Sequence, residues 1–191
     1  MCFVQLKLVL YALLACLILP IAACADATKN SADKTLKVVI IRHGEKPENG
    51  DNLSCQGQNR ALELATVLYE KIGKPNYTYV PALKIDKSTA HSRMFQTVTP
   101  FAVKYDLTIN SRYELDNFVE LSSSVLKKSG TVLMVWEHNA IPNLASALGV
   151  DNPPKWKDKD FDSMWILNFA SGKAELTVSQ EGLSPSASCD F

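Results

Sequence analysis

Leu36-Lys37-Val38-Val39-Ile40-Ile41 runs without a break into Arg42-His43-Gly44-Glu45. The first six residues form a short, β-branched, almost continuously apolar run. That is the pattern of a central strand buried on both faces, as found in parallel sheets covered by helices. A second run of the same kind, Thr131–Trp136 (TVLMVW), leads directly into Glu137-His138-Asn139. Each strong strand therefore delivers a histidine at its carboxyl end. In open α/β sheets, ligands gather at those ends.

The stretches between and around these runs alternate in period. Ala61, Leu64, Ala65, Leu68 and Ile72 recur at helical spacing and stop near Gly73 and Pro75. Tyr77–Pro81 reads as a strand. Met94, Phe95, Val98, Phe101 and Ala102 mark a second helix face, with a kink expected at Pro100, which cannot donate a backbone hydrogen bond. Leu107–Asn110 reads as a short strand. Leu115, Phe118, Val119 and Val125 suggest a helix closed by Lys127, Lys128 and Gly130. Ile141, Leu144, Ala145 and Leu148 line one face of a further helix ending at Gly149. Met164–Ala170 and Ala174–Val178 flank Ser171-Gly172-Lys173 as a hairpin. The order β-α-β-α-β-α-β-α-β-β predicts a three-layer α/β/α sandwich with a mostly parallel central sheet. Trp136, Trp156 and Trp165 read as packing residues.

The residues at the strand ends suit phosphoryl transfer. Arginine presents a planar, permanently charged fork that matches phosphate oxygens, and Arg42 and Arg93 are the candidates. A neutral imidazole can attack phosphorus and carry the group covalently, which splits one hard displacement into two easier ones. A second histidine can stabilise charge on the transferring oxygens. The chain has three histidines. His91 reads as a loop residue at the rim, which leaves His43 and His138. No GxxxxGK[ST] loop and no HExxH helix is present, so triphosphatase and zinc-protease readings have no foothold.

Four segments in order, IIRHGEK (40–46), NLSCQGQNRA (52–61), STAHSRMFQTVTP (88–100) and VWEHNAIPNLASALG (135–149), resemble the histidine phosphatase superfamily, the phosphoglycerate-mutase-like group. The resemblance covers about residues 36–180. It implies a phosphoglycerate-mutase-like fold and hydrolysis of a phosphomonoester through a phosphohistidine, with no metal and no cofactor. By the same resemblance His43 would be the nucleophile, Arg42 and Arg93 phosphate ligands, and His138 the second pocket histidine. Gly44 would let the chain turn sharply beside the phosphate. The chain departs from the group in having Glu137 where glycine is usual before the second histidine. The proton donor is left open among Glu114, Glu137 and Asp116, with Glu114 at about the position the common branch uses. If residue 137 is still strand, its side chain faces away from that of His138. The short stretch between Arg93 and His138 leaves little room for a substrate-capping insertion, so the chain is more similar to the small phosphatases of the group than to its mutases. Relatives of this size act on protein phosphohistidine or on lipopolysaccharide heptose phosphate. A pocket that binds phosphate without turning it over is the alternative, motivated by the acidic Glu137.

Residues 1–23 carry Lys7 as their only charged side chain ahead of a long apolar run, the pattern of a secretory signal peptide. Ile21-Ala22-Ala23-Cys24 resembles a lipobox, in which Cys24 is lipidated. Cleavage at Ala25-Asp26-Ala27 is the competing reading. Residues 24–35 read as a flexible tether and 36–191 as the domain. The expected location is the periplasm or a lipid-anchored position in a bacterial envelope, with membrane contact only through that anchor. Two cysteines remain beyond the leader, Cys55 and Cys189, and an exported chain with two invites a disulfide. With 20 basic and 20 acidic residues the chain has no basic excess. This disfavours a nucleic-acid partner and leaves a small-molecule phosphomonoester.

Overall fold

The computed structural model describes residues 35–84, 91–170 and 173–191. The leader 1–23, the lipidation candidate Cys24, nearly all of the tether, residues 88–90 of the third motif and the Ser171-Gly172 turn lie outside the described residues.

Among the described residues, six strands and four helices follow in the order read from the sequence: β1 (Leu36–Arg42), α1 (Cys55–Ile72), β2 (Tyr77–Tyr79), α2 (Ser92–Tyr105), β3 (Ile109–Asn110), α3 (Phe118–Val125), β4 (Gly130–Trp136), α4 (Ile141–Ala147), β5 (Ser163–Ala170) and β6 (Lys173–Gln180). They form one sheet of order β3-β2-β4-β1-β5-β6. The first four strands in that order run parallel, with Leu36 opposite Gly130 and Arg42 opposite Trp136 in the β1–β4 pair. The β5–β6 hairpin is antiparallel and attaches to β1 antiparallel. The sheet is therefore mixed, with a parallel block that carries both histidines.

Strand alternation separates two cores. Val38, Ile40, Val132, Met134 and Trp136 face one side and pack with Leu121 and Val125 of α3 and Ile141 and Leu144 of α4. Val39, Ile41, Leu133 and Val135 face the other and pack with Leu64 and Leu68 of α1 and Val98 and Phe101 of α2. Covering both faces explains why β1 is apolar almost without interruption. The helices after β1 and β4 thus leave toward opposite faces although their strands are neighbours. Ligands of open α/β sheets gather where such connections diverge, and His43 and His138 follow the two strand ends at that point.

Three local expectations change. α2 runs through Pro100 as a continuous helix. Leu115 lies ahead of α3 in the loop, and Val119 is 76% exposed, so the buried face of that helix is Leu121, Ser122 and Val125. Gly44 is not among the positive-φ glycines. Its requirement is space: a Cβ there would lie 2.8 Å from the Gly57 carbonyl oxygen.

Gly57 in turn sits in the first part of α1, where a Cβ would come within 2.2 Å of the Glu45 carbonyl oxygen. The helix is capped by Ser54, whose Oγ accepts from Gly57 N at 3.2 Å. Backbone meets backbone here, so no flexible side chain can give way. Gly57→Ala is expected to lower stability by about 2–3 kcal/mol, the cost of overpacking a site that cannot relax. A denaturant midpoint equal to that of the wild type would contradict this.

Candidate active site

His43 extends the β1–β4 ladder by one step, its backbone N–H donating to the Trp136 carbonyl at 3.1 Å. The side chain is buried, and Nδ1 lies 2.7 Å from the Gly44 carbonyl oxygen. A carbonyl can only accept, so Nδ1 carries the proton and Nε2 keeps its lone pair. Burial pushes the imidazole down to about 4, and the neighbouring charges of Arg42, Arg93 and His138 push the same way against the raising effect of the Gly44 hydrogen bond. The ring is neutral at pH 7.

Arg42 is buried although charged. Its Nη1 donates to the carbonyls of Asp158 (2.7 Å) and Asp160 (3.1 Å). Its guanidinium lies 3.8 Å from the centre of the Phe161 ring. Burial lowers its pKa to about 10, which leaves it protonated at neutral pH. Nε is buried with no hydrogen-bond partner. The segment supplying those carbonyls is anchored by Trp156, which packs on Trp165 of β5 with ring centres 5.2 Å apart and donates from Nε1 to the Asp160 carbonyl at 2.9 Å.

His138 stands just past β4, within the electrostatic reach of Arg42 and His43. Burial first, and then Arg42, lowers its pKa. A Glu137 carboxylate oxygen lies 2.6 Å from its Nδ1. That nitrogen has no aligned hydrogen bond. The other nitrogen, Nε2, lies 3.7 Å from an Asp158 carboxylate oxygen. Glu137 also accepts from the Asn139 backbone N–H at 3.1 Å, so it ends the strand and turns back on its neighbour. The alternation argument that would face it away from His138 stops with β4 at Trp136.

Arg93 lies in the first turn of α2 and donates to the carbonyls of Asn52 (3.2 Å) and Gly50, while its charge acts on His43. His91 donates from Nδ1 to the Ala82 carbonyl at 2.8 Å, a structural contact. Glu114 is exposed on the β3–α3 loop. That loop is pinned on both sides of it: Ala82 N–H donates to the Tyr113 carbonyl at 2.7 Å and Trp136 Nε1 to the Leu115 carbonyl at 2.9 Å. Both anchors come from the carboxyl ends of the parallel strands. Asp116 is exposed on the same loop. The structure thus gathers Arg42, His43, Arg93, His138 and Glu137 into one electrostatic neighbourhood and leaves Glu114 and Asp116 on the loop at the same end of the sheet.

Residues not singled out in the sequence hold this site. Thr97 Oγ1 accepts from the Gly44 backbone N–H at 2.9 Å and donates to the Arg93 carbonyl at 2.8 Å, which ties the β1 exit to α2. Arg60 pairs with Glu45 (2.8 Å) and Glu181 (2.6 Å), with Asp162 at 3.5 Å. Three carboxylates thus face one guanidinium. Burial pushes Glu181 up to about 8 despite Arg60 beside it. Burial opposes the charge of Arg60, and Glu45 and Glu181 outweigh it and raise its pKa. Thr97 and Arg60 lie inside the quoted motifs. Asp158, Asp160 and Phe161 sit in a polar loop that carries no pattern. Cys55 and Cys189 are joined as a disulfide, with Cα atoms 5.0 Å apart. Among the described residues no group of three His, Cys, Asp or Glu side chains is placed to hold a metal ion.

No family model matches the sequence, and no curated protein matches it. Solved structures do match. The alpha-ribazole phosphatase of Shigella flexneri superposes with a TM-score of 0.56 at 14% identity, covering 78% of this chain and 99% of that one. A mycobacterial glucosyl-3-phosphoglycerate phosphatase, solved with inorganic phosphate, gives 0.54 at 15% identity over 78% and 99%. A phosphoglycerate mutase of Bacillus anthracis gives 0.54 at 14% identity over 76% and 93%. The chain has the phosphoglycerate-mutase-like fold. At these identities the likeness extends to the architecture, and the chemistry rests on the residues described above.

The buried, neutral His43 has a measurable signature. Its imidazole resonances are expected to titrate near pH 4, with Nε2 unprotonated at pH 7. The unfolded chain takes up that proton near 6.5, so His43 withdraws stability as pH falls from about 6.5 to 4. A midpoint at or above 6.5 would contradict the assignment.

Proposed function

We propose that the chain is a phosphatase that hydrolyses a phosphomonoester through a phosphohistidine on His43. The observation that carries this reading is the unprotonated Nε2 of a neutral His43, fixed by the Gly44 carbonyl among Arg42, Arg93 and His138. Nε2 attacks phosphorus, and the bond from phosphorus to the ester oxygen breaks. The Arg42 guanidinium and Arg93 hold the non-bridging oxygens, and His138 stabilises the charge that builds on them. The leaving oxygen takes a proton from Glu114. Water then attacks the phosphohistidine, gives its proton to the same carboxylate and releases inorganic phosphate. Glu137 is the alternative donor, supported by its place beside His138. The cations of the chain supply the positive charge, so the reaction proceeds without metal and the rate survives chelators.

The neighbours of the same fold are named as phosphatases of alpha-ribazole and of glucosyl-3-phosphoglycerate, which supports a small phosphorylated substrate. A sugar phosphate of the cell envelope fits the exported location we propose from the leader. The competing reading, a module that binds phosphate without turnover, draws on the carboxylates of Glu137 and Asp158 against His138.

Purified protein lacking residues 1–23 is expected to cleave a generic aryl phosphate and, after rapid quenching, to carry phosphate on His43. His43→Ala abolishes both. Glu114→Gln is expected to slow an alkyl phosphate by about 10²-fold or more and an aryl phosphate far less, because only the alkoxide needs the proton. Vanadate binding without turnover, unchanged by His43→Ala, would establish the binding module instead. For the leader, full-length protein is expected in the membrane fraction of a bacterial host and Cys24→Ala in the soluble periplasmic fraction. Retention of Cys24→Ala in the membrane would overturn lipid anchoring.

A further inference from the structure

An open cavity of about 760 Å³ adjoins the phosphate-binding side chains. The two share Phe161, whose ring lies against Arg42 and 6.3 Å from the ring of His43 and also lines the cavity. The second wall is the Glu45–Glu48 segment that leaves the His43-Gly44 turn, and the third is Leu53–Gln56 at the start of α1. The last wall is Ala187, from the C-terminal tail.

The tail has no helix or strand of its own beyond Gln180. It is held against α1 by the Cys55–Cys189 disulfide and by Asn59 Nδ2, which donates to the carbonyls of Ser186 (2.9 Å) and Ser188 (2.7 Å). Gln56 Nε2 adds a longer contact to the Pro185 carbonyl at 3.4 Å. The bridge and these side-chain donors therefore set where Ala187 stands.

The volume falls within the range of small-molecule sites. Its lining mixes an aromatic face and small apolar surfaces (Phe161, Pro47, Leu53) with Lys46, Glu48 and Gln56. A group offering both a C–H face and several hydroxyls satisfies such a surface. We propose that this cavity receives the organic part of the phosphomonoester, a polyhydroxylated group of about one sugar ring, and that the disulfide-held tail is the wall that selects its size. This rests on the phosphatase reading and specifies its substrate class.

The test compares methyl phosphate, which occupies only the phosphate pocket, with a hexose phosphate and a disaccharide phosphate. In Ala187→Trp the disulfide is intact and the added ring narrows the cavity. kcat/KM for the hexose phosphate is expected to fall about tenfold through KM, while methyl phosphate stays within about twofold. In Cys55→Ser/Cys189→Ser, checked for native near-UV circular dichroism, the disaccharide phosphate is expected to gain relative to the hexose phosphate. Equal effects of Ala187→Trp on methyl and hexose phosphate, or none on either, would overturn the subsite and leave the phosphatase reading standing. A folded wild-type chain that cleaves none of the three esters overturns both.

Discussion

The contact of Gly44 with Gly57 is the constraint on which the site depends. The chain leaving β1 passes so close to the first part of α1 that neither position has room for a side chain. Ser54 N–H donates to the Glu45 carbonyl at 2.9 Å across the same gap, and Thr97 fixes Gly44 from the side of α2. The loop bearing His43 is thus held by three segments before any substrate arrives. Arg60 extends the restraint. By binding Glu45 and Glu181 it ties the His43-Gly44 turn to the end of the β5–β6 hairpin, across the width of α1. An ion pair buried this deeply adds little net stability, because desolvation opposes the attraction. Its effect is on position, since one buried guanidinium holds side chains from three segments of the chain together.

The same turn explains the state of His43. Placing a histidine where it is desolvated and surrounded by Arg42, Arg93 and His138 makes protonation costly. The Gly44 carbonyl then decides which nitrogen keeps the proton. Burial, neighbouring cations and one backbone oxygen together leave Nε2 with a free lone pair at neutral pH without a partner carboxylate.

Much of this architecture was legible because it follows from period and covering. β1 and β4 read as buried strands from their unbroken apolar runs, and the histidines after them followed from chain continuity. The order of elements agreed throughout. α3 was misjudged at Leu115 and Val119 because a short helix offers too few turns for its face to be told from the preceding loop. Gly44 was read as a turn residue, whereas the structure asks it for room, a demand set by a helix residue in another segment. Glu137 was judged by strand alternation, but β4 ends one residue before it. The carbonyls of Asp158 and Asp160 could not be read at all. Backbone oxygens carry no sequence signal, and only the docking of Trp156 on Trp165 shows which ones reach Arg42.

Those carbonyls resolve an apparent conflict between a neutral protein and an anionic ligand. A chain with equal numbers of acids and bases presents no broad positive surface, so attraction has to be local. Arg42 supplies it from inside the domain, where charge acts through less water. Its direct partners are neutral dipoles, two backbone oxygens and the face of Phe161, while the charges of Glu137, Asp158, Asp160 and Glu45 act on it through space. A paired acid would have cancelled the charge, whereas carbonyls satisfy N–H donors and leave the positive charge in place. Two of those acids, Glu137 and Asp158, also lie against His138. They raise the pKa of that imidazole, but burial and Arg42 outweigh them and the net shift is downward. The acidic residue beside the second histidine therefore offsets part of the cost of charging it without removing that cost.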